Sequence, residues 1–220
     1  TDNGSTFNCT AAITTANITA TDTLTTTGVN WDFTNTATVN LSAATWTSSG
    51  TNTIDVTKTG SAMDWNVTNA LTLNNLTYTG STPGTSAPTG GLLSMDNAIA
   101  VSLVNTDINS SVNWTGLSSL SIDANSSISA NGKGCDGGPQ SGDGYGPNTS
   151  TGVCTQSTSG YGANGRTGAG HGGAGGRSNG TANTGATYGS STAPLFYGSG
   201  GGGGGNGGET GGAGGGIVRL

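Results

Sequence analysis

The sequence predicts an all-β protein, with a parallel β-helix (solenoid) over residues 1–131 and a glycine-rich polyproline-II/polyglycine-II helical bundle over residues 132–220. Three observations predict it: strand-like segments recur along the chain, no segment has an amphipathic helical pattern, and the composition changes abruptly near Gly132. Residues 1–131 hold 26 of the 32 Leu, Ile, Val and Phe residues, whereas residues 132–216 hold 34 of the 43 glycines. We therefore predict a boundary between two domains at this point.

The solenoid is predicted from segments such as "ITATDTLTTTG" (18–28), "VNLSAATWTSSG" (39–50) and "LTLNNLTYTG" (71–80), which alternate apolar and polar residues and end in Gly. A repeat of about 20 to 30 residues in a β-rich chain is typical of stacked turns around a narrow core. An antiparallel β-sandwich is the alternative, because it also contains short strands separated by turns. The predicted core residues are Ile18, Leu24, Val39, Leu41, Trp46, Leu71, Leu73, Leu76, Tyr78, Ile99, Val101, Leu103, Leu120, Ile122 and Ile128.

The glycine-rich part is open to three interpretations. A Gly/Ser linker would be flexible, and a phosphate-binding loop would need a helix after it. The third is close backbone packing, in which extended chains with three residues per turn bond amide to carbonyl across faces that carry no side chain. No helical pattern follows, and Tyr145, Tyr161, Tyr188 and Tyr197 are unusual for a linker. These features favour packing, with helices expected at 168–176, 200–205 and 211–217.

The ordered segments "SISANGKGCDGG", "GAGHGGAGG", "ATYGSSTAPLFYGSGGGGG" and "GGAGGGIVRL" resemble the glycine-rich modules of large extracellular surface-fibre and adhesin repeat proteins. The resemblance covers roughly residues 120–220 and departs in the Cys-bracketed loop 135–154. Modules of that kind follow β-helical repeats. Polyglycine-II bundles also occur in a phage tail-fibre adhesin and in a springtail antifreeze protein. The resemblance implies an extracellular fibre or adhesin.

Charge excludes some functions. Only 7% of the residues are charged, the net charge is −6, and there are five Lys and Arg. Binding to nucleic acid needs clustered cations, so we expect no nucleic-acid partner. No apolar run approaches the roughly 20 residues of a membrane span.

Eleven Asn-X-Ser/Thr sequons, with the low Lys content, predict a secreted glycoprotein at the cell surface. Polar filler on a solvent-facing sheet is the alternative interpretation of these sequons. The glycosylation candidates are Asn3, Asn8, Asn17, Asn40, Asn66, Asn75, Asn109, Asn113, Asn125, Asn148 and Asn179.

Three cysteines are present. Cys135 and Cys154 bracket a Gly/Ser/Thr-rich loop and are the candidate disulfide, which an oxidising compartment would stabilise. Cys9 is left over, and a bond to a neighbouring chain is one role for it. A zinc site is not expected, because no Cys-x-x-Cys pair occurs and His171 is the only histidine.

No catalytic or cofactor-binding residue is predicted. The eleven acids are scattered, whereas a polysaccharide-cleaving β-helix enzyme would need clustered carboxylates. Asp136 and Asp143 lie close in sequence and could bind calcium, but loop acids more often cap turns. We therefore expect no metal, no cofactor and no enzyme activity.

The leading hypothesis is a structural subunit of an extracellular filament or appendage that assembles with copies of itself. One alternative is an adhesin tip that binds a glycan or surface receptor through loops such as 135–165. A further alternative is an ice-binding protein, because "TATDTLTTTG" at 19–28 contains a threonine ladder. That function would need a flat Thr-x-Thr row across several turns, and only residues 21–27 contain it clearly in the sequence.

Overall fold

The computed structural model describes residues 2–3, 6–8, 13–33, 36–56, 60–83, 91–140, 142–148, 151–156, 187–190, 193–204 and 209–220. The predictions for Cys9, His171 and Asn179 lie outside these residues, as does the segment 168–176. The chain divides into two compact units. Unit 1 comprises residues 1–81, 91–129 and 218–220, and unit 2 comprises residues 82–90 and 130–217.

All regular secondary structure in the described residues is β-strand, so the all-β prediction is confirmed. The strands are rich in Thr, Val and Ile, whose branched side chains suit a pleated surface. The strands are β1 Asp2–Asn3, β2 Thr6–Asn8, β3 Ile13–Thr19, β4 Thr23–Thr27, β5 Asn30–Asp32, β6 Thr36–Ser49, β7 Asn52–Val56, β8 Ala62–Asn74, β9 Leu76–Gly80, β10 Leu92–Asp96, β11 Ala100–Val104, β12 Asp107–Asn109, β13 Ser111–Thr115, β14 Ser119–Ile122, β15 Ser127–Ser129, β16 Tyr145–Pro147, β17 Cys154–Gln156 and β18 Val218–Arg219.

The strands of unit 1 stack in three columns. Column 1 contains β3, the first part of β6, the first part of β8, β10, β13 and β18. Column 2 contains β1, β4, the second parts of β6 and β8, β11 and β14. Column 3 contains β2, β5, β7, β9, β12 and β15. The long strand β6 serves two columns because its register with β8 shifts between Ala43 and Thr45.

Every described pairing in these columns is parallel. The alternative prediction of an antiparallel β-sandwich is therefore wrong. Successive partners in column 3 are 24, 23, 24, 30 and 20 positions apart in sequence, and they are Phe7, Trp31, Ile54, Tyr78, Ile108 and Ile128. Long parallel sheets with this spacing are compatible with a β-helix.

The core of unit 1 lies between the columns and is rich in tryptophan. The ring centroids of Trp46 and Trp65 are 5.1 Å apart in an edge-to-face arrangement, and those of Trp65 and Trp114 are 5.8 Å apart. Such aromatic pairs add about 0.5–1.5 kcal/mol beyond the area that they bury. Most of the predicted core residues are buried, and Ile18, Leu120 and Ile128 are partly buried. The prediction is wrong for Ile122, which is exposed.

The turn between columns 2 and 3 repeats one backbone conformation in four successive turns of the chain. Gly28, Gly50, Asn75 and Asn105 have φ values of 60°, 66°, 55° and 46°. Only Gly adopts this left-handed region without a Cβ penalty, and Asn tolerates it better than most residues. The terminal Gly of segments 18–28 and 39–50 therefore marks this turn, and Asn replaces it in the two later turns. The Gly that ends segment 71–80 lies instead at the end of β9.

Unit 2 has one small antiparallel sheet among its described residues, formed by β16 and β17. Cys135 and Cys154 form a disulfide with a Cα–Cα distance of 5.5 Å. These two cysteines are the disulfide pair that the sequence predicts. The glycine-rich segments of the unit, where described, belong to neither helix nor strand.

Candidate functional site

Each column of unit 1 ends in a strand that pairs on one side only within the described residues. These strands are β18, β14 and β15 at one end and β3, β1 and β2 at the other. A strand with one free side presents unpaired amide and carbonyl groups, which can accept a further strand. The two ends are different surfaces, so they can pair with each other in a head-to-tail arrangement.

The last strands also leave inward-facing apolar side chains uncovered. Ile122 is in register with Leu103, and Val218 is in register with Val112. Leu103 and Val112 are at most 1% exposed, whereas Ile122 is 42% and Val218 40% exposed. The predicted core position Ile122 is therefore inward in register and exposed because β14 is the last described strand of its column. We call Ile122, Val218 and the free edges of β14, β15 and β18 the open end.

In unit 2, the segment 198–204 makes hydrogen bonds at every third residue. Its donors and its acceptors both advance in steps of three, in opposite directions along the chain. A three-residue step is typical of neither a β-ladder nor an α-helix. The amides of Gly198, Gly201 and Gly204 donate to the carbonyls of Gly215, Gly212 and Glu209 at 2.8–2.9 Å.

The same segment bonds to two further stretches of chain with the same step. The first is 135–138, which runs parallel to it, and the second is 142–145, which runs antiparallel to it. The segment 198–204 therefore has hydrogen-bonded neighbours on three sides. The amides of Cys135 and Gly138 donate to the carbonyls of Gly198 and Gly201, and those of Gly200 and Gly203 donate to the carbonyls of Tyr145 and Gly142.

Several of these glycines have no room for a side chain. A Cβ on Gly214 would overlap the carbonyl of Gly198, and one on Gly200 would overlap the carbonyl of Asp136. By contrast, a Cβ on Gly212 or Gly215 would have no heavy atom of another described residue within 4 Å. Glycine is therefore required on the faces where the backbones touch.

A buried polar cluster lies beside the glycine segments. The hydroxyl of Tyr188 donates to the carbonyl of Tyr197 at 2.5 Å, and the hydroxyl of Ser199 donates to Tyr188 Oη at 2.9 Å. Burial raises the pKa of the Tyr197 phenol. The Tyr197 phenol thus stays protonated at neutral pH, and both tyrosine side chains are buried next to the glycines.

The sequon asparagines are distributed over all three columns, turns and loops, and column 2 contains only Asn3 in β1. The side chains of Asn17, Asn66, Asn109, Asn125 and Asn148 are exposed, and those of Asn40, Asn75 and Asn113 are half-buried. Asn3 and Asn8 lie in β1 and β2, whose side chains are outside the described structure. Several sequon asparagines are hydrogen-bonded to each other or to other Asn residues, for example Asn40 Nδ2 to Asn17 Oδ1 at 2.9 Å and Asn97 Nδ2 to Asn66 Oδ1 at 3.2 Å.

Acids are few, and their pKa values have local causes. Burial, and then the like charge of Asp96, raise the pKa of Asp64. No set of three His, Cys, Asp or Glu in the described residues could hold a metal ion, and Asp136 and Asp143 belong to no such set. The described residues include no helix that could cross a membrane. The loop 135–165, predicted as a ligand-binding tip, is described only in part.

Sequence reasoning missed two features of these surfaces. It did not indicate which glycines touch, because the touching partners come from segments far apart in sequence. It also did not indicate which strands are last in their columns. The available sequence signals were the low charge and the alternation of apolar and polar residues within strands. Neither signal indicates the order of strands in a sheet.

The described structure defines an all-β protein with stacked parallel strands, an open end and glycine segments bonded at every third residue. In comparisons with known proteins, no protein-family model, curated protein or solved structure matches this chain. Its function is therefore inferred from the geometry above.

Proposed function

We propose that the protein is a structural subunit of an extracellular surface filament, in which copies stack head to tail through the free strand edges of unit 1. The observation that carries the proposal is the open end, where Ile122 and Val218 are exposed although their register partners are buried. When two different surfaces of a subunit pair with each other, the assembly forms a ring if the rotation between subunits closes it. Otherwise it grows into a filament.

Unit 1 acts in this proposal as a parallel β-solenoid. Its support is the parallel pairing in all three columns and the sequence spacing of 20 to 30 residues between stacked partners. A solenoid is built from turns that contact only their neighbours, so one subunit can continue the stack of another. A next subunit would cover the apolar side chains of the open end and pair the free strand edges.

Unit 2 is proposed to be a polyglycine-II bundle of the kind found in surface-fibre and adhesin repeat proteins. Polyproline-II chains have three residues per turn and no internal hydrogen bonds, so their amides must bond to neighbouring chains at every third residue. The bonds from Gly198, Gly201 and Gly204 have this spacing. The overlap that a Cβ would cause at Gly200 and Gly214 also fits contact between glycine faces.

The extracellular and glycosylated state is part of the same proposal. The Cys135–Cys154 disulfide suits an oxidising compartment. Exposed sequons at Asn17, Asn109 and Asn125 are accessible for modification. Glycans on columns 1 and 3 would surround the filament and leave its ends free.

The test is assembly of the purified full chain, followed by electron microscopy and sedimentation velocity over a range of concentrations. We expect filaments, and we expect Ile122→Lys to abolish them because a charge at the open end blocks edge pairing. The matched control is Ser121→Lys on the same strand, whose side chain faces outward and is already exposed. Circular dichroism checks that both variants fold. Monomers at every concentration, or filaments that persist in Ile122→Lys, would refute head-to-tail assembly.

A further inference from the structure

One face of unit 1 carries no charge. It consists of the outward-facing side chains of β4, of residues 45–49 in β6, of residues 70–74 in β8, of β11 and of β14, and we call it the threonine face. No sequon asparagine lies in these five stretches of chain. The sequon residue Asn3 lies at the border of the face, in β1, in register with Thr27. The outward positions of column 1 include Asp64 and Asp96, and those of column 3 include Asp55 and Asp107.

The centre of the threonine face is a row of hydroxyl groups with one hydroxyl from each strand. The strand pairings place all of its members at the same level in successive strands. Neighbouring strands are about 4.8 Å apart, and alternate residues along one strand are about 6.6 Å apart. The row is formed by Thr25, Thr47, Thr72, Ser102 and Ser121.

A second row runs beside the first and is mostly methyl-bearing. It contains Thr23, Thr45, Ala70, Ala100 and Ser119, which the same pairings hold in register. The two rows form a two-dimensional grid of short side chains on a parallel sheet. Short side chains leave the surface flat and cost little entropy when they are held in place.

The hydroxyls of the central row are not used by neighbouring side chains. In the described structure, no side-chain hydrogen bond joins Thr25, Thr47 or Thr72 to another residue. On column 3 the corresponding groups satisfy each other, as in the 2.6 Å bond from Thr53 Oγ1 to Asn30 Oδ1 and the 2.6 Å bond from Ser127 Oγ to Asp107 Oδ1. The central row therefore offers its hydroxyl groups to solvent.

We infer that the threonine face binds the surface of ice. An ice plane is a regular grid of water oxygens, and a surface can match it only if its own groups repeat in two directions. The central row supplies hydroxyls, and the second row supplies methyl groups that order water without binding it strongly. Charged side chains would hold liquid-like water instead, and the face carries none. This activity needs only one subunit, so it does not depend on filament assembly.

The test measures thermal hysteresis and ice-crystal shaping with the full-length Ile122→Lys chain, which isolates the face from filament formation. We expect hysteresis and faceted crystals, and we expect Thr72→Lys in that background to lose both. The control is Thr77→Lys, which replaces a threonine that is also exposed but lies on the next strand, β9, in column 3. Near-ultraviolet circular dichroism of the buried tryptophans verifies that each variant folds.

Three results would overturn the inference. The first is round, unshaped crystals with the parent chain, and the second is an equal loss of activity in Thr77→Lys and Thr72→Lys. The third is a parent chain that shows no hysteresis but forms lateral pairs, with Thr72→Lys abolishing the pairing. That result would mean that the face binds a second copy of this chain. If the first result is found while the unsubstituted chain forms filaments normally, the ice inference fails and the proposed structural role stands.

Discussion

The amide of Gly214 donates a 2.9 Å hydrogen bond to the carbonyl of Cys135, and Cys135 is also a partner in the disulfide of unit 2. A glycine contact and a covalent link thus meet at one residue. In return, the amide of Cys135 donates to Gly198, which lies beside Gly214. Backbone hydrogen bonds hold these three segments together, and the disulfide links one of them to Cys154.

Gly214→Ala is expected to destabilise unit 2 by about 1–3 kcal/mol, because the new methyl group must displace the backbone at Gly198. Gly215→Ala is the matched control, since its methyl group meets nothing within 4 Å. Its effect should be at most about 1 kcal/mol and should stabilise, because alanine restricts the unfolded chain. Hydrogen exchange of the amides at 198–204 measures both. Equal protection in the two variants would contradict close packing of the glycine faces.

Removal of the disulfide is expected to lower the free energy of unfolding of unit 2 by about 3 kcal/mol. The link closes a loop with a sequence separation of 19, and its loss returns that loop's freedom to the unfolded chain. Denaturant unfolding of the double variant Cys135→Ser/Cys154→Ser tests this. The control is Cys9→Ser, which replaces a cysteine without removing this disulfide. Equal midpoints for the double variant and the control would contradict the prediction.

The tryptophans offer a comparison of buried N–H groups. Trp46 Nε1 donates to Thr26 Oγ1 at 3.3 Å, whereas Trp65 Nε1 is buried with no hydrogen-bond partner in the part of the chain that the structure describes. Both side chains are fully buried, so replacement by Phe removes a similar volume from each. Trp46→Phe should therefore destabilise by about 1–2 kcal/mol more than Trp65→Phe. Chemical denaturation measures the difference, and the reverse order would show that packing outweighs the hydrogen bond.

The effect of pH on folding stability should have opposite signs at the carboxyl groups of Asp64 and Asp123. The folded-state pKa of Asp64 is raised, first by burial and then by Asp96, so its ionisation opposes folding. The contribution of the Asp64 carboxyl to folding stability is complete below its unfolded-state pKa of about 3.9 and is lost as pH rises through its folded-state pKa. Asp64→Asn should thus stabilise unit 1 at neutral pH, and the advantage should vanish in acid. Thermal unfolding across pH checks this, and an advantage that does not change with pH would contradict it.

Asp123 should behave in the opposite way. A hydrogen bond from Ser126 Oγ is the main cause that lowers its folded-state pKa; desolvation opposes it, and the amides of Asn105 and Asn125 lower the pKa further. The contribution of Asp123 to folding stability is present above its unfolded-state pKa and is lost as pH falls through its folded-state pKa. Asp123→Asn should destabilise at neutral pH, with the deficit closing below about pH 4. A deficit that persists in acid would mean that the charge is not responsible.

The core of unit 1 could be predicted from the sequence where the alternation is local. Val39, Leu41 and Trp46 alternate with polar residues, and all three are buried. The sequence analysis missed Trp65 and Trp114 as core residues, although both are buried. Both nevertheless alternate with apolar residues two positions away, Met63 and Val67 around Trp65 and Val112 before Trp114, so the same local pattern was there to identify them.

The surfaces that carry the proposals depend on the order of strands in space, which a local pattern does not encode. Ile122 has the pattern of a core residue, and its exposure follows from the position of β14 at the end of its column. Gly214 and Gly215 are identical and adjacent in sequence, yet among the described residues a Cβ would overlap a neighbouring backbone only at Gly214. The row of Thr25, Thr47 and Thr72 likewise required the register between strands.

The pairing of β18 with β13 has a consequence for biosynthesis. Val218 joins a strand whose partner residue, Val112, leaves the ribosome more than a hundred residues earlier. Translation delivers a chain from its amino terminus, and domains tend to fold in that order. The sheet therefore remains one strand short throughout synthesis of the glycine-rich segment, and a nascent chain halted anywhere in that segment would carry an unfinished sheet to the quality-control machinery.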